Sequence, residues 1–192
     1  MTRLIARLFR SIAKRCRVII FWIKNFDGRV RSVGRVYFNV PLICDGAGSV
    51  ALGANISVGY SLAPMLGEGT VRLQARGSDA RILIGDGTFF SNNVQVLAVQ
   101  SVTIGARCLI GDSVLIFDSD FHDLSAEGRH SVPAAAAPVV LEDNVFIGSR
   151  VIILKGVTIG KDSVIGAGSV VVRSIPPGVI AAGNPAKVIR PL

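Results

Sequence analysis

Both histidines of this 192-residue chain lie in one stretch, FDSDFHDLSAEGRH, residues 117–130. Imidazole is the side chain that most readily exchanges a proton near neutral pH, so His122 or His130 could act as a general base on a substrate. If the backbone there is extended, Asp118, Asp120 and His122 share one face, because alternate side chains of a strand point the same way. A neighbouring carboxylate could then fix the tautomer of the His122 ring. We predict this role for Asp120.

Other kinds of reaction centre find less support in the sequence. Asp123 is a second candidate partner for His122, and either acid could instead be an ordinary solvated charge. Cys16, Cys44 and Cys108 show no Cys-x-x-Cys spacing and are interpreted as reduced, small hydrophobic side chains. The sequence has no Gly-x-Ser-x-Gly elbow, the motif that would indicate a serine nucleophile. Two histidines are too few for a three-histidine zinc site, so we predict no metal.

A period of six residues supplies the framework that must position these groups. An aliphatic residue followed by a small or polar one recurs every six positions from about residue 43 onward. That period fits a short strand followed by a corner, and stacked units of this kind form a parallel β-helix. An ordinary β-sandwich would place its turns roughly every 8 to 12 residues. The recurring aliphatic positions are Ile84, Phe90, Val96, Val102, Ile104, Ile110, Ile116, Leu141, Ile147, Ile153, Ile159, Ile165 and Val171.

The regular pattern stops at the histidine stretch. Six positions after Ile116 the next inward residue is due, and His122 stands there. We therefore expect the coil itself to aim His122, and residues 123–138 to form an excursion loop, since long loops on a rigid repeat usually carry function. His130 lies in the middle of that loop and is the lesser candidate. The alternative is an insertion without a role.

The basic charge of the chain is confined to its N-terminal segment. Residues 1–35 hold ten of the 21 Lys and Arg and one of the 13 Asp and Glu, a formal charge of +9, whereas residues 36–192 carry −1. A nucleic-acid-binding protein would place cations across its docking surface. We therefore predict no nucleic acid partner and a basic helical segment over residues 1–35.

Residues 1–25 have the pattern of a basic amphipathic helix. The apolar run 18–23 is much shorter than the ~20 residues that span a bilayer, which favours a helix lying on the inner face of the cytoplasmic membrane. The helix is not followed by a small-residue cleavage site, so the segment does not have the pattern of a secretory signal peptide. The alternative is that the apolar stripe packs on the body of the protein or its oligomer. The stripe consists of Leu4, Ile5, Leu8, Phe9, Ile12, Cys16, Ile19, Ile20 and Ile23.

Several of these sequence units resemble a known family. The repeats IGKDSV and IGAGSV, followed by IPPGVIAAGNPAKVIR, are similar to the hexapeptide-repeat acyltransferases, and among them to the sugar O- and N-acetyltransferases of cell-surface polysaccharide pathways. The resemblance covers about residues 40–190. It implies an all-β fold, a left-handed parallel β-helix of hexapeptide repeats over residues 36–192 with a C-terminal tail at 176–192, and assembly as a homotrimer.

The resemblance also implies a reaction. An acetyl group would pass from acetyl-CoA, the co-substrate, to a hydroxyl or an amine of a sugar, with the hydroxyl favoured. His122, at the root of the loop, matches the family's general base, and no covalent intermediate is needed. The protein would work in the cytoplasm. A β-helix that only binds or scaffolds, without catalysis, is the remaining alternative.

Further site residues are implied by the resemblance alone. FFSNNVQV resembles the segment that lines the acceptor site, which implies hydrogen bonds from Asn92 or Asn93 to sugar hydroxyls; a turn made of asparagines explains the same letters. The stretch DNVFIGSRVIILKGVTIGKDSVIGAGSVV resembles the part that grips acetyl-CoA between neighbouring subunits, and Phe146 stands where family members often carry Trp. The implied cofactor contacts are Phe146, Gly148 and Ala167 along the pantetheine arm and Lys161, Lys187 or Arg190 at the phosphates, each of which could equally be a solvated cation.

Overall fold

The structure, a computed structural model, describes residues 12, 15–25, 27–60, 69–130 and 133–192. The described residues form one helix, α1, over residues 15–24, and three sheets. Strands are numbered in chain order. Sheet A contains β1 (Val30–Ser32), β4 (Ser49–Leu52), β7 (Arg81–Ile84), β10 (Ser101–Ile104), β13 (Val139–Leu141) and β16 (Thr158–Ile159). Sheet B contains β2 (Val36–Phe38), β5 (Ile56–Val58), β8 (Phe89–Phe90), β11 (Leu109–Ile110), β14 (Phe146–Ile147), β17 (Val164–Ile165), β19 (Val179–Gly183) and β20 (Ala186–Pro191). Sheet C contains β3 (Leu42–Asp45), β6 (Val71–Ala75), β9 (Gln95–Ala98), β12 (Leu115–Phe117), β15 (Ile152–Ile153) and β18 (Val170–Val171).

The chain visits sheets A, B and C in turn, so that each coil contributes one strand to each sheet. Coil 1 is β1–β3 and coil 6 is β16–β18, and the strands of adjacent coils pair in parallel. Val140 pairs with Thr158 eighteen residues later, which equals three repeats of six. The parallel β-helix predicted from the period is therefore confirmed. We call the bends between the sheets the AB, BC and CA corners.

The predicted aliphatic ladder forms the core. Ile84, Ile104, Leu141 and Ile159 occupy matching positions on neighbouring strands of sheet A and are buried. A second inward residue lies two positions before the rung, on the same strand where the strand is long enough and otherwise at the end of the preceding corner. These residues are also fully buried, and they include Val94, Val114, Val145, Val151 and Val157. Two inward side chains per face fill the narrow interior without bulky aromatic rings, which matches the low aromatic content of the sequence.

Two kinds of residue make the corners. Several residues just before the second inward position adopt left-handed backbone although they are not glycine, with φ between 55° and 58° at Asn93, Arg107, Ser113, Asn144 and Arg150. The glycine that follows many of the rungs, such as Gly148 after Ile147, serves a different purpose. A Cβ added to Gly148 would lie 2.6 Å from the amide nitrogen of Ala167, on the next coil. Glycine is therefore required there because adjacent coils approach closely at the corner.

The N-terminal segment packs against coil 1. Phe21 is buried, and its ring centroid lies 5.1 Å from that of Phe38 on β2. The predicted helix is thus present over 15–24, while the part of the prediction that falls on residues 1–11, 13 and 14 lies outside the described residues. Among the described residues, no helix is long and apolar enough to cross a membrane.

The predicted tail, 176–192, folds back onto sheet B. β19 pairs in parallel with β17, and β20 then pairs antiparallel with β19. The Gly-Asn-Pro turn at 183–185 joins these two strands and redirects the chain after the last coil.

Candidate functional site

The excursion at the histidine stretch begins earlier than the sequence indicated. β12 ends at Phe117 and β13 starts at Val139, so the excursion begins at residue 118 and not at 123. Its root is a short antiparallel contact, in which the amide of Ala137 donates to the carbonyl of Asp118 at 2.9 Å and the amide of Asp120 donates to the carbonyl of Ala135 at 3.1 Å. The loop thus leaves and re-enters the CA corner through a paired stem.

Asp118 is the residue that ends the coil. Its carboxylate is fully buried and accepts hydrogen bonds from the backbone amides of Val99 and Gln100, each at 2.7 Å. The Asp118 side chain therefore accepts the hydrogen bonds of two amides on the preceding coil. A strand that continued past Asp118 would otherwise have accepted them through its backbone carbonyls. Sequence reasoning treated Asp118 only as one of three acids near a histidine.

His122 does not occupy the inward ladder, and that expectation was wrong. The ladder in this coil ends at Ile116, and His122 is exposed on the loop. Nδ1 of His122 lies 3.3 Å from the carbonyl oxygen of Arg129. Because a carbonyl can only accept, this contact favours the tautomer with hydrogen on Nδ1, and it leaves Nε2 of the neutral ring as the proton acceptor. The tautomer is thus held by a backbone group of the same loop.

Phe121 explains why the alternating face predicted for Asp118, Asp120 and His122 is absent. Its φ is 61°, an uncommon value for an aromatic residue, and this turn breaks the extended backbone that the prediction required. The Phe121 ring packs edge-on against Phe117, with centroids 5.7 Å apart, and the Arg76 guanidinium lies 4.3 Å from its centroid. These contacts hold the residue next to His122 in its strained conformation.

The acids beside His122 have other partners. Oδ2 of Asp120 forms an ion pair with Nζ of Lys155 at 2.8 Å. Oδ1 of Asp123 accepts hydrogen bonds from the hydroxyl and the amide of Ser125, and these hold the pKa of Asp123 below its ordinary value. Lys155 was missed by the sequence analysis. A signal existed, since Ile116 pairs with Ile153, so that position 155 lies above position 118 at the same corner.

The predicted acceptor residues lie at the BC corner. Asn92 is fully buried; its Oδ1 accepts from the amide of Tyr60 at 2.9 Å and its Nδ2 donates to the carbonyl of Tyr60 at 3.3 Å. Asn93 has left-handed backbone, and a Cβ added to Gly69 would lie 2.0 Å from its Oδ1. Within this chain Asn93 adopts the left-handed backbone of a turn, and the Asn92 side chain binds the backbone of Tyr60 on the preceding coil.

Most of the predicted cofactor contacts share one side of the molecule. Phe146, on β14, is 45% exposed and pairs with Val164, which pairs with Ile180, which pairs with Arg190. These four residues form a row across sheet B that runs from an aromatic ring to a guanidinium. Leu109, 49% exposed, extends the apolar part of the row on the other side of Phe146.

The BC corner runs alongside this row. Gly148 and Ala167 are stacked there on successive coils, and Lys187 pairs with Ala182 nearby on the last strands. Asn92 belongs to the same corner, because its carbonyl accepts from the amide of Ser113 one coil higher. Lys161 is set apart at the AB corner, where its amide donates to Oε2 of Glu142 at 2.7 Å.

The structure therefore brings most predicted residues to two places. Asn92, Gly148, Ala167 and Lys187 gather at or beside the BC corner, next to the row that contains Phe146 and Arg190. His122 lies on the loop at the CA corner. That corner follows the strands of sheet C, whereas the BC corner precedes them. In the described part of the chain, no group of three His, Cys, Asp or Glu side chains could hold a metal ion.

Comparison with known proteins places this architecture. Residues 138–173 match the family described as the hexapeptide repeat of succinyl-transferase. Galactoside O-acetyltransferase of Escherichia coli K12 is 41% identical over 111 residues, which are 58% of this chain and 54% of that protein. The crystal structure of a hexapeptide-repeat-containing acetyltransferase of Vibrio cholerae, complexed with acetyl coenzyme A, is 28% identical with a TM-score of 0.63 and covers 97% of this chain and 88% of that chain. In sequence and in fold the chain is similar to the hexapeptide-repeat acetyltransferases.

The chain has the left-handed parallel β-helix that the resemblance implied. The chain spans about half the length of the Escherichia coli relative, 54%. Relatives in this family differ in the atom they acetylate. The 2,3,4,5-tetrahydropyridine-2,6-dicarboxylate N-acetyltransferase of Clostridium perfringens is 53% identical over 58 residues, 30% of this chain and 25% of that protein.

Proposed function

We propose that this chain is an acetyl-CoA-dependent acetyltransferase that acts on a sugar in cell-surface polysaccharide synthesis, in the cytoplasm, with a hydroxyl favoured over an amine as acceptor. The observation that carries the proposal is the contact between Nδ1 of His122 and the Arg129 carbonyl, which leaves Nε2 free to accept a proton on an exposed loop. The 41% identity to galactoside O-acetyltransferase supports the choice of a sugar hydroxyl.

The reaction needs one base and no covalent enzyme intermediate. Nε2 of His122 takes the proton from the acceptor hydroxyl as its oxygen attacks the thioester carbonyl. The new C–O bond forms, the C–S bond of acetyl-CoA breaks, and the CoA sulfur leaves with the proton returned by the imidazolium. Asp120 stays in the proposal as an acid near the loop root that acts through its ion pair with Lys155.

The row across sheet B fits the shape of coenzyme A. An apolar stretch that begins at Phe146 suits the pantetheine arm, and Arg190 or Lys187 at the far end suits the phosphates. Gly148 and Ala167 have little or no side chain, so the pantetheine arm can lie close to the backbone at the neighbouring corner. Lys161, at the other corner, fits this arrangement least well.

A homotrimer would unite the two halves of this site. Within one chain, His122 and the BC corner lie at opposite ends of sheet C, so a single copy cannot present the base to a thioester bound beside Phe146. Around a threefold axis, the CA corner of one copy can face the BC corner of the next. Asn92 and Asn93 would then be near the acceptor, with Asn93, which is half-buried, as the better placed of the two.

The proposal is tested with the purified full chain, acetyl-CoA and a panel of nucleotide sugars and oligosaccharides, measuring release of the CoA thiol. His122→Ala should lower the rate by about 10²–10⁴-fold, the usual contribution of a general base, with an unchanged melting temperature. His130→Ala, on the same exposed loop, is the matched control and should keep most of the activity. An active His122→Ala enzyme would refute the assignment. Binding of acetyl-CoA without turnover on any acceptor would favour the scaffold alternative.

A further inference from the structure

Helix α1 attaches to the coil by one face only. Phe21 and Asn25 are buried, and Val18 packs against the core from the turn before. The Arg17 guanidinium donates to the carbonyl of Asn39, which fixes the helix against coil 1. Successive residues of a helix are rotated by about 100°, so these side chains lie on one side of α1.

A second apolar face points away from the protein. Ile19 and Ile23 are 58% and 65% exposed, and their spacing of four residues places them on one stripe of α1. Ile20 and Trp22, 52% and 37% exposed, flank it. The sequence alone is compatible with a stripe that packs on the body of the protein. The structure shows that Phe21 and Val18 fill that role, and the isoleucine stripe is free of the chain's own core.

Positive charge borders the exposed stripe. Arg15 and Lys24 are exposed on its two sides, within a segment that holds ten Lys and Arg and one acid over residues 1–35. That acid, Asp27, is already paired with Arg29 at 2.6 Å. The surface around the stripe therefore carries a net positive charge that no acid of the segment cancels.

We propose that α1 binds the surface of an anionic lipid membrane, with Ile19 and Ile23 among the acyl chains and Arg15 and Lys24 at the lipid phosphates. An apolar stripe between cations matches the two layers of such a surface. A second copy of the chain is a poorer occupant, because a contact between two α1 helices would bring two segments of charge +9 together. This inference does not depend on the proposed reaction.

Trp22 offers a direct measurement, since it is the single tryptophan of the chain. The full-length protein is mixed with neutral vesicles of phosphatidylcholine, or with anionic vesicles in which about a third of the lipid is phosphatidylglycerol. We expect a blue shift of the tryptophan emission and co-flotation with the anionic vesicles only, both reduced by high salt. The double variant Ile19→Ser/Ile23→Ser should lower the partition coefficient by at least about tenfold, because two exposed apolar side chains no longer leave water.

Val33→Ser is the matched control, because Val33 is an exposed aliphatic residue outside the helix, at 90% exposure. It should leave flotation unchanged. Equal flotation of the double variant and the wild type would overturn the proposal. A second result would also overturn the proposal: the wild type does not bind vesicles, and the double variant loses oligomer mass in light scattering. The stripe would then be an interface between copies of the chain.

Discussion

Oδ2 of Asp120, on the loop, and Nζ of Lys155, on the coil above, are 2.8 Å apart. This ion pair ties the stem of the His122 loop to the rigid part of the molecule. Both side chains keep some exposure, 22% and 30%, so the pair contributes little to global stability. Its effect should appear in the position of the loop.

Lys155→Met removes the cation and keeps most of the side-chain length. We expect faster trypsin cleavage after Arg129 and roughly tenfold lower turnover, because a loosely held base is less often in the productive position. The unfolding free energy should change by less than about 1 kcal/mol. Arg173→Met, an exposed cation at the CA corner of coil 6, is the control and should change neither rate. Unaltered cleavage after Arg129 in Lys155→Met would show that the ion pair does not hold the loop.

Asp118→Ala should destabilise the whole domain. The substitution leaves the amides of Val99 and Gln100 without their carboxylate acceptor, at a cost of about 2–4 kcal/mol. Urea denaturation followed by circular dichroism measures the change. Asp123→Ala removes a partly exposed acid of the same loop and should cost less, because its carboxylate binds only Ser125 within that loop. Equal midpoints for the two variants would mean that Asp118 does not cap the coil.

Gly148→Ala tests the close approach of the coils. The added methyl would lie 2.6 Å from the Ala167 amide nitrogen, and relief requires the coils to move apart, at about 1–3 kcal/mol. Gly77→Ala is the matched substitution, because nothing lies within 4 Å of its added Cβ and its φ is not in the left-handed region. Thermal melts should show a lower melting temperature for Gly148→Ala alone. If Gly148→Ala melts like wild type but loses acetyl-CoA affinity, the glycine serves the ligand and not the stacking.

The cysteines should differ in reactivity with pH. Burial raises the pKa of the Cys44 thiol to about 12 and also raises that of Cys108. A raised pKa means that the thiolate is absent below it, so at pH 8 only about one Cys44 in 10⁴ is ionised. Iodoacetamide at pH 8 should therefore label the exposed Cys16 first, and labelling of Cys44 should rise tenfold per pH unit while the fold persists. Mass spectrometry of tryptic peptides reads each site. Rapid labelling of Cys44 at pH 8 would contradict the buried environment.

The sequence pattern predicted the regular part of this molecule well, because each rung of the ladder is decided by local chemistry. Ile104, Ile110 and Ile116 fall inward since every strand repeats the same short geometry. The same six-residue count gave the wrong position for His122. The coil ends before it, because the Asp118 side chain binds the backbone of the preceding coil. A carboxylate that replaces a strand partner leaves no periodic signal.

The candidate site was predicted less completely, since its contacts cross between coils and loops. The Arg129 carbonyl that selects the His122 tautomer is a backbone group, which residue types cannot reveal. Lys155 reaches Asp120 from a coil that follows the whole excursion. Asn92 was predicted from resemblance, yet its amide is engaged by Tyr60, a partner 32 residues earlier.

β20 gives sheet B a final strand that is hard to extend. It runs antiparallel to β19, pairs Pro191 with Val179 and carries Lys187 and Arg190. Proline cannot donate a backbone hydrogen bond, and charged side chains discourage another strand from adding on. A stack of parallel coils is otherwise an open template on which the first coil of another molecule could continue. The last strand therefore acts as a stop against fibre growth, and it lets a fold built by repetition end at a defined length.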